Sequence, residues 1–311
     1  MYPKYYDPTK VGTLFAPRII ETMLEGRAIK VAPSHTDQQK VILLNVDQQV
    51  DFIHANGALF VPGAIDDTRR IIEWVYRNLR QITTIAASQD THLYYSIHLP
   101  SWWVDRSGKN PDPFTPITLA DYQNGLWTSK FKLKAPAPFT NWNEYYLTQL
   151  ETAAKKTLMV WPFHCLEGTI GRAIEPSLFE AFTFHGAARY SETQFLTKGT
   201  IPQTEHYSIL EPEVKVANDP NGGLNTVFLD MLKDNDLIYV AGQAKSHCVL
   251  ETVRSILNYF KQNAPDAIAK LRILQDCTSP VDGFEDSARI AFDNFVTDFG
   301  LKLVKSTDPI G

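Results

Sequence analysis

The sequence predicts an α/β protein built on a doubly wound parallel sheet, and three observations carry that prediction. Runs such as KVILLNVD (40–47) and LIYVA (237–241) are apolar on both faces, as strands covered on both sides must be. Segments with apolar residues at helical spacing alternate with these runs, which is the pattern of parallel strands joined by crossover helices. Acids and histidines gather where the runs end, and parallel sheets bind ligands beyond the carboxyl ends of their strands.

The chain has 311 residues, 44% of them hydrophobic, enough for one large domain with a sizeable core. Residues 1–38, rich in Pro and Tyr, read as an N-terminal extension, with a short helix expected in APRIIETMLEGRA closed by Gly26. The domain proper is expected over 39–311. Its first strand, KVILLNVD, ends in Asp47, and a crossover helix is expected over DDTRRIIEWVYRNLR (66–80). Strand two, QITTIAAS (81–88), runs into QDTHLYYSIH, which brings Asp90, His92 and His98 past a second strand end. In an extended D-x-H step a carboxylate and an imidazole lie on one side of the backbone and can share a metal, although a solvated loop gives the same letters.

Residues 99–156 break the alternation with six prolines and four tryptophans and read as an insertion, a lid or an oligomer arm, with a helix over NWNEYYLTQLETAAKK. The chain returns through LMVWPFHCLEGT, carrying His164 and Cys165. Beyond it come a helix near PSLFEAFTFH, a strand near ARYSETQFLT, the loop KGTIPQTEHYSIL and a helix near LNTVFLDMLKDN. NGGLN (221–225) reads as a helix-entry loop. The strand DLIYVAG follows, then a helix from the turn at Cys248, strand LRILQD, helix FEDSARIAFDNFVTDF and strand LKLVKS.

Cys248 stands where the buried strand turns into a helix. A lone cysteine is more often a small apolar core residue, but a thiol in the first helical turn meets the positive end of the helix dipole and free backbone N–H groups. Those favour a thiolate and can hold an oxyanion. Cys165 and Cys277 read as packing residues, and three cysteines in so long a chain make no disulfide framework. A net charge of −5, a pI near 5.9 and the lack of a basic aromatic cluster exclude nucleic acid as an expected partner. Neither a membrane-length apolar run nor a signal-peptide pattern is present, so a soluble, cytoplasmic protein is expected. There is no dinucleotide fingerprint or phosphate loop.

An acid at the first strand end, an acid with His at the second, a Lys in a later loop and a Cys at a strand-to-helix turn, in that order, resemble the nicotinamidase and isochorismatase-like cysteine hydrolases. LLNVDQQVDF, QDTHLYYSIH, WPFHC, TKGT and VAGQAKSHCV are similar to the family's motifs over roughly residues 40–305, the insertion excepted. The resemblance implies a three-layer fold with six mainly parallel strands and a catalytic triad of Asp47, Lys198 and Cys248. It also implies a cis peptide joining Gln243 to Ala244, which would aim the N–H of Ala244, beside that of Cys248, at an oxyanion. A divalent metal is expected on Asp90, His92 and His164, Zn²⁺ first with Fe²⁺ or Mn²⁺ as alternatives, and with His98 or waters completing the site. Phe52, Trp161 and Tyr207 are expected as pocket walls.

The implied activity is hydrolysis of a small carboxamide, nicotinamide to nicotinate and ammonia, within NAD salvage, by a homo-oligomer. Another amide, ureide or carbamoyl substrate is the alternative within the family, and a non-catalytic binding protein on the same fold is the alternative outside it. This chain departs from the family in its long insertion, in Gln243, and in the spacing of the Lys loop.

Overall fold

The computed structural model describes residues 2–153 and 155–311. Six strands form one sheet: β1 (Val41–Val46), β2 (Thr84–Asp90), β3 (Gln194–Lys198), β4 (Leu237–Gly242), β5 (Leu271–Leu274) and β6 (Lys302–Val304), in the order β6-β5-β4-β1-β2-β3. Every neighbouring pair is parallel. The longer helices are α1 (Ile19–Ala28), α2 (Ala64–Arg77), α3 (Trp142–Thr152), α4 (Pro176–Arg189), α5 (Thr226–Lys233), α6 (Cys248–Asn263) and α7 (Glu285–Phe299).

The two-residue period of a strand sorts the core into layers. Ile42, Leu44 and Val46 of β1 pack with α5, α6 and α7, whereas Val41 and Leu43 pack with α2 and α4 on the other face. A central strand with both faces buried is therefore apolar at every position, the pattern seen in its sequence. The N-terminal segment lies on the second face, where Arg18 makes paired hydrogen bonds to the carboxylate of Glu180 on α4. No helix among the described residues is long and apolar enough to cross a membrane.

Within the segment 99–156, Trp103–Val104 pairs antiparallel with Thr128–Ser129, and Pro116–Ile117 pairs with Leu158–Met159 just beyond it, around a separate cluster that includes Trp102, Trp103, Trp142 and Tyr146. Ile201, Val214 and Val216 join that cluster from the loop after β3, so the insertion is packed against the main domain.

Several element ends differ from expectation, each for a physical reason. Strand two begins at Thr84 and runs on to Asp90, because Gln81 and Ile82 still complete the turn that closes α2, with their N–H groups on the carbonyl of Asn78. The strand expected from Ala188 begins only at Gln194, since Ala188 and Arg189 end α4 and Tyr190 takes the left-handed cap. Gly26 lies inside α1 and does not close it. A Cβ there would lie 2.7 Å from the carbonyl oxygen of Phe184, so the glycine is the point where two helices touch. The insertion helix stops at Thr152; the expected continuation crosses position 154, outside the described residues.

Candidate active site

Three inner strand ends and the edge strand deliver the site. Asp47 follows β1 directly with φ of 45°, a left-handed conformation that Asp tolerates better than most residues and that turns the chain sharply at the sheet edge. The parallel register sets Lys198, the last residue of β3, opposite Asp90, the last residue of β2. On β4, Gly242 has φ of 121°, and a Cβ there would lie 2.0 Å from the carbonyl oxygen of Val46, so only glycine lets β4 pass this close to β1 before the turn. The turn holds a cis peptide between Gln243 and Ala244 and leads to Cys248, the first residue of α6.

Lys198 is the hub. Its Nζ is 3.0 Å from Asp47 Oδ2, 3.0 Å from Asp90 Oδ1 and 3.6 Å from Cys248 Sγ, and it donates to the carbonyl of His206 at 2.9 Å. All four side chains are buried. Asp47 is fixed from its other oxygen by the hydroxyl of Ser88 at 2.6 Å, and Gln49 pins the backbone of Asp90 with two hydrogen bonds of 2.7 Å.

Burial pushes the Asp47 carboxyl up, the Lys198 ammonium pulls it down, and Asp90 adds to the rise. Burial also works against charging Lys198, but Asp47 and Asp90 outweigh it and hold the ammonium well above its usual range. Burial drives the Cys248 thiol well above its usual range, against the pull of Lys198. The thiolate favoured by the helix start is therefore not the resting form in this structure. Burial is the largest cause, and the charges of Asp47 and Asp90 add to it. Sγ and carboxylate oxygens of Asp47 and Asp90 lie within 4.8 Å of one another. The N–H groups of Ala244 and Cys248 donate to no other described residue.

Beside Lys198 and Cys248, ligand atoms of Asp90, His92 and His164 lie within 4.8 Å of one another. His164 donates from Nδ1 to the carbonyl of Pro162 at 2.7 Å, leaving Nε2 on the side of Asp90, 4.0 Å away. Such a bond to the far nitrogen is how metal-ligating histidines are oriented. Burial, then the charge of His92, lowers His164 to about 4, so it stands as the neutral ligand form. Burial opposes ionisation of Asp90, but His92 and Lys198 outweigh it and hold the carboxyl well below its usual range. Two imidazoles and a carboxylate in a sealed cluster fit a divalent ion such as Zn²⁺, Fe²⁺ or Mn²⁺. His98 lies against His92 with ring centroids 4.3 Å apart, both its nitrogens are buried without a hydrogen-bond partner, and its Nδ1 is 3.5 Å from Glu205.

Phe52, Trp161 and Tyr207 line a narrow, partly open cavity of about 30 Å³ that also touches Asp90, His164, Ala244 and Cys248. Trp161 donates from its indole nitrogen to the Tyr207 hydroxyl at 3.0 Å, fixing two walls against each other. The sequence reading missed Glu205 and His247, which line the same cavity, and Gly199. At Gly199, with φ of 77°, a Cβ would come within 2.6 Å of Asp90 Oδ1 and 3.0 Å of His92 Nδ1. The K-G pair itself was the available signal, because a glycine directly after a buried lysine points to a close backbone approach.

Cys165 is a packing residue: it is buried, and its N–H is bound by Asp51 at 2.7 Å. Cys277, three residues past the end of β5, is also buried.

No protein-family model matches the chain, and no curated protein matches its sequence. Solved structures do. A yeast nicotinamidase bound to the inhibitor nicotinaldehyde is 17% identical over 85% of this chain and 99% of its own, with a TM-score of 0.58. The same yeast enzyme in a second structure gives 18% identity, 86% and 99% coverage and a TM-score of 0.57. A nicotinamidase/pyrazinamidase from Acinetobacter baumanii gives 19%, 88%, 99% and 0.53. At these identities the likeness is one of fold. The three-layer architecture with its six-stranded parallel sheet is that of the isochorismatase-like hydrolases, and the likeness to nicotinamidases runs across most of the chain. On this fold two buried clusters, Asp90 with His92 and His164 and Asp47 with Asp90 and Cys248, meet at Asp90.

Proposed function

We propose that the protein hydrolyses a small heteroaromatic carboxamide, nicotinamide to nicotinate and ammonia, through a thioester on Cys248. The observation that carries the proposal is the position of Lys198 Nζ, 3.0 Å from Asp47 Oδ2 and 3.6 Å from Cys248 Sγ, behind a cavity that Cys248 lines together with Asp90 and His164.

In the free enzyme Cys248 is a thiol and Asp47 and Lys198 are an ion pair. As Sγ attacks the carboxamide carbon, its proton passes to Asp47, and Lys198 offsets the charge that moves between them. The N–H groups of Ala244 and Cys248 hold the oxyanion. Asp47 then returns the proton to the departing nitrogen, so ammonia leaves and a thioester remains. Asp47 next takes a proton from water that attacks the thioester, and Cys248 leaves as the thiol with the carboxylic acid as product. A divalent metal on Asp90, His92 and His164 would supply a Lewis-acid anchor for a ring nitrogen. Phe52 and Trp161 would confine the ring between them, and Tyr207, tied to Trp161, would close that side.

Ammonia release from nicotinamide, benzamide and an aliphatic amide tests the proposal. Nicotinamide should be turned over with much the highest kcat/KM, because benzamide keeps ring and amide but lacks the nitrogen. Equal turnover of benzamide, or turnover of the aliphatic amide alone, would favour the other small amide or carbamoyl substrate. Retention of a tenth of the activity by Cys248→Ala would remove the nucleophile from the mechanism.

A further inference from the structure

His247 immediately precedes the nucleophile and lines the cavity with it, yet the chemistry above gives it no task. Its imidazole is gripped by three aromatic rings: Trp161 at 5.1 Å between centroids, Tyr207 at 5.2 Å and Phe284 at 4.7 Å. Its Nδ1 is 2.9 Å from Ser246 Oγ, and that oxygen already accepts the N–H of Val281 at 3.0 Å. The buried Ser246 hydroxyl has no other acceptor among the described residues, so its proton goes to Nδ1. The ring is thereby set in the tautomer that carries its proton on Nε2. That nitrogen bonds to no described residue, and it is not among the sealed polar atoms of the interior. Burial, then the nearby Lys156, pushes the imidazole down to about 3, so it acts as a neutral donor throughout the working range.

We propose that His247 determines specificity: its Nε2–H donates to an acceptor on the substrate other than the scissile carboxamide. The preferred substrate is then a heteroaromatic carboxamide bearing an exocyclic oxygen acceptor on its ring. The inference rests on the amidase reading and deepens it. A donor held this rigidly in an apolar box is left without a partner by a plain ring, and sites built around such a hydrogen bond discriminate strongly against analogues that lack the acceptor.

The test is kcat/KM for ammonia release from nicotinamide, pyrazinamide, and nicotinamides with a hydroxy or methoxy oxygen on each ring carbon in turn. The wild-type enzyme should prefer at least one acceptor-bearing amide over nicotinamide by tenfold or more. His247→Phe keeps the ring contacts and removes the donor, so this ratio should collapse, and His247→Gln, which restores an N–H, should recover part of it. Ser246→Ala releases Nδ1 and with it the fixed tautomer, and should lower the ratio severalfold even if His247→Phe fails to fold. No preference in the wild type, or a ratio unchanged in the variants, overturns the assignment of His247 alone. Failure of the wild type to hydrolyse any of these amides overturns the amidase reading, and this inference with it.

Discussion

Lys198 holds one ammonium against two buried carboxylates, a thiol and a carbonyl, so its removal should be felt in both stability and rate. Lys198→Ala leaves Asp47 and Asp90 buried without their cation, and breaking such a pair costs about 3–5 kcal/mol. Urea denaturation should show that loss; a midpoint unchanged from wild type would mean that the pair is not buried as described. Cys248→Ala, Asp47→Asn and Lys198→Ala should each lower kcat by orders of magnitude, and combining them should add little, because the three work as one unit. His92→Ala and His164→Ala should each abolish stoichiometric metal in elemental analysis. Full metal content in the double variant would put the ion elsewhere. Asp47, Asp90, His92, His164, Lys198 and Cys248 were each visible in the sequence because they sit in short motifs at strand ends. Glu205 and His247 were not, since a buried Glu and His inside irregular backbone carry no periodic signal, and only the fold brings them to the cavity wall.

At the scale of elements, α4 starts on a buried acid. Glu175 caps the helix by accepting the N–H of Leu178 at 2.7 Å and also accepts the N–H of Gly12 at 3.1 Å, tying the N-terminal segment to α4. Burial raises its carboxyl to about 7, against the pull of those backbone bonds. An acid whose folded pKa lies above its unfolded value of 4.5 binds more protons folded than unfolded between the two. Its contribution to stability is therefore complete below pH about 4.5 and is lost as pH rises through about 7, a change of about 3 kcal/mol. Glu175→Gln should flatten that part of the pH–stability profile relative to wild type; parallel profiles for the two proteins would show that Glu175 does not titrate there. The strands and helices themselves were legible from their apolar periods. Their ends were less so: Gln89 and Asp90 belong to β2 although they are polar, because the strand runs on into the site.

Taken whole, the molecule is a layered sheet with a second, smaller core attached near its reactive edge. Tyr146 on α3 accepts the N–H of Glu205 at 3.2 Å, Trp142 donates to the carbonyl of Gln203 at 2.6 Å, and Pro202 accepts the N–H of Ile97 at 2.7 Å. The insertion thus holds the loop that carries Glu205 and Tyr207 into the cavity. Trp103→Ala, which empties a large fully buried site in that core, should cost about 3–5 kcal/mol in local or global stability. It should also raise KM, because the loop would lose its support; a variant with wild-type KM would separate the insertion from the pocket. The proline and tryptophan content marked this region as different, but nothing in its sequence disclosed which loop it would grip.

The sheet order has one more consequence. Lys198 is carried by β3, the outermost strand on its side, which has a single neighbour and whose Gln194, Phe195 and Thr197 are exposed. Asp47 and Cys248 are carried by strands with neighbours on both sides. Edge segments open more readily than central ones, so the amides of β3 should exchange with deuterated solvent well before those of β1 and β4. Each such opening would draw the ammonium away from an otherwise intact nucleophile and base. Catalytic competence would then be limited by the fraying of one short strand, long before the fold as a whole gives way.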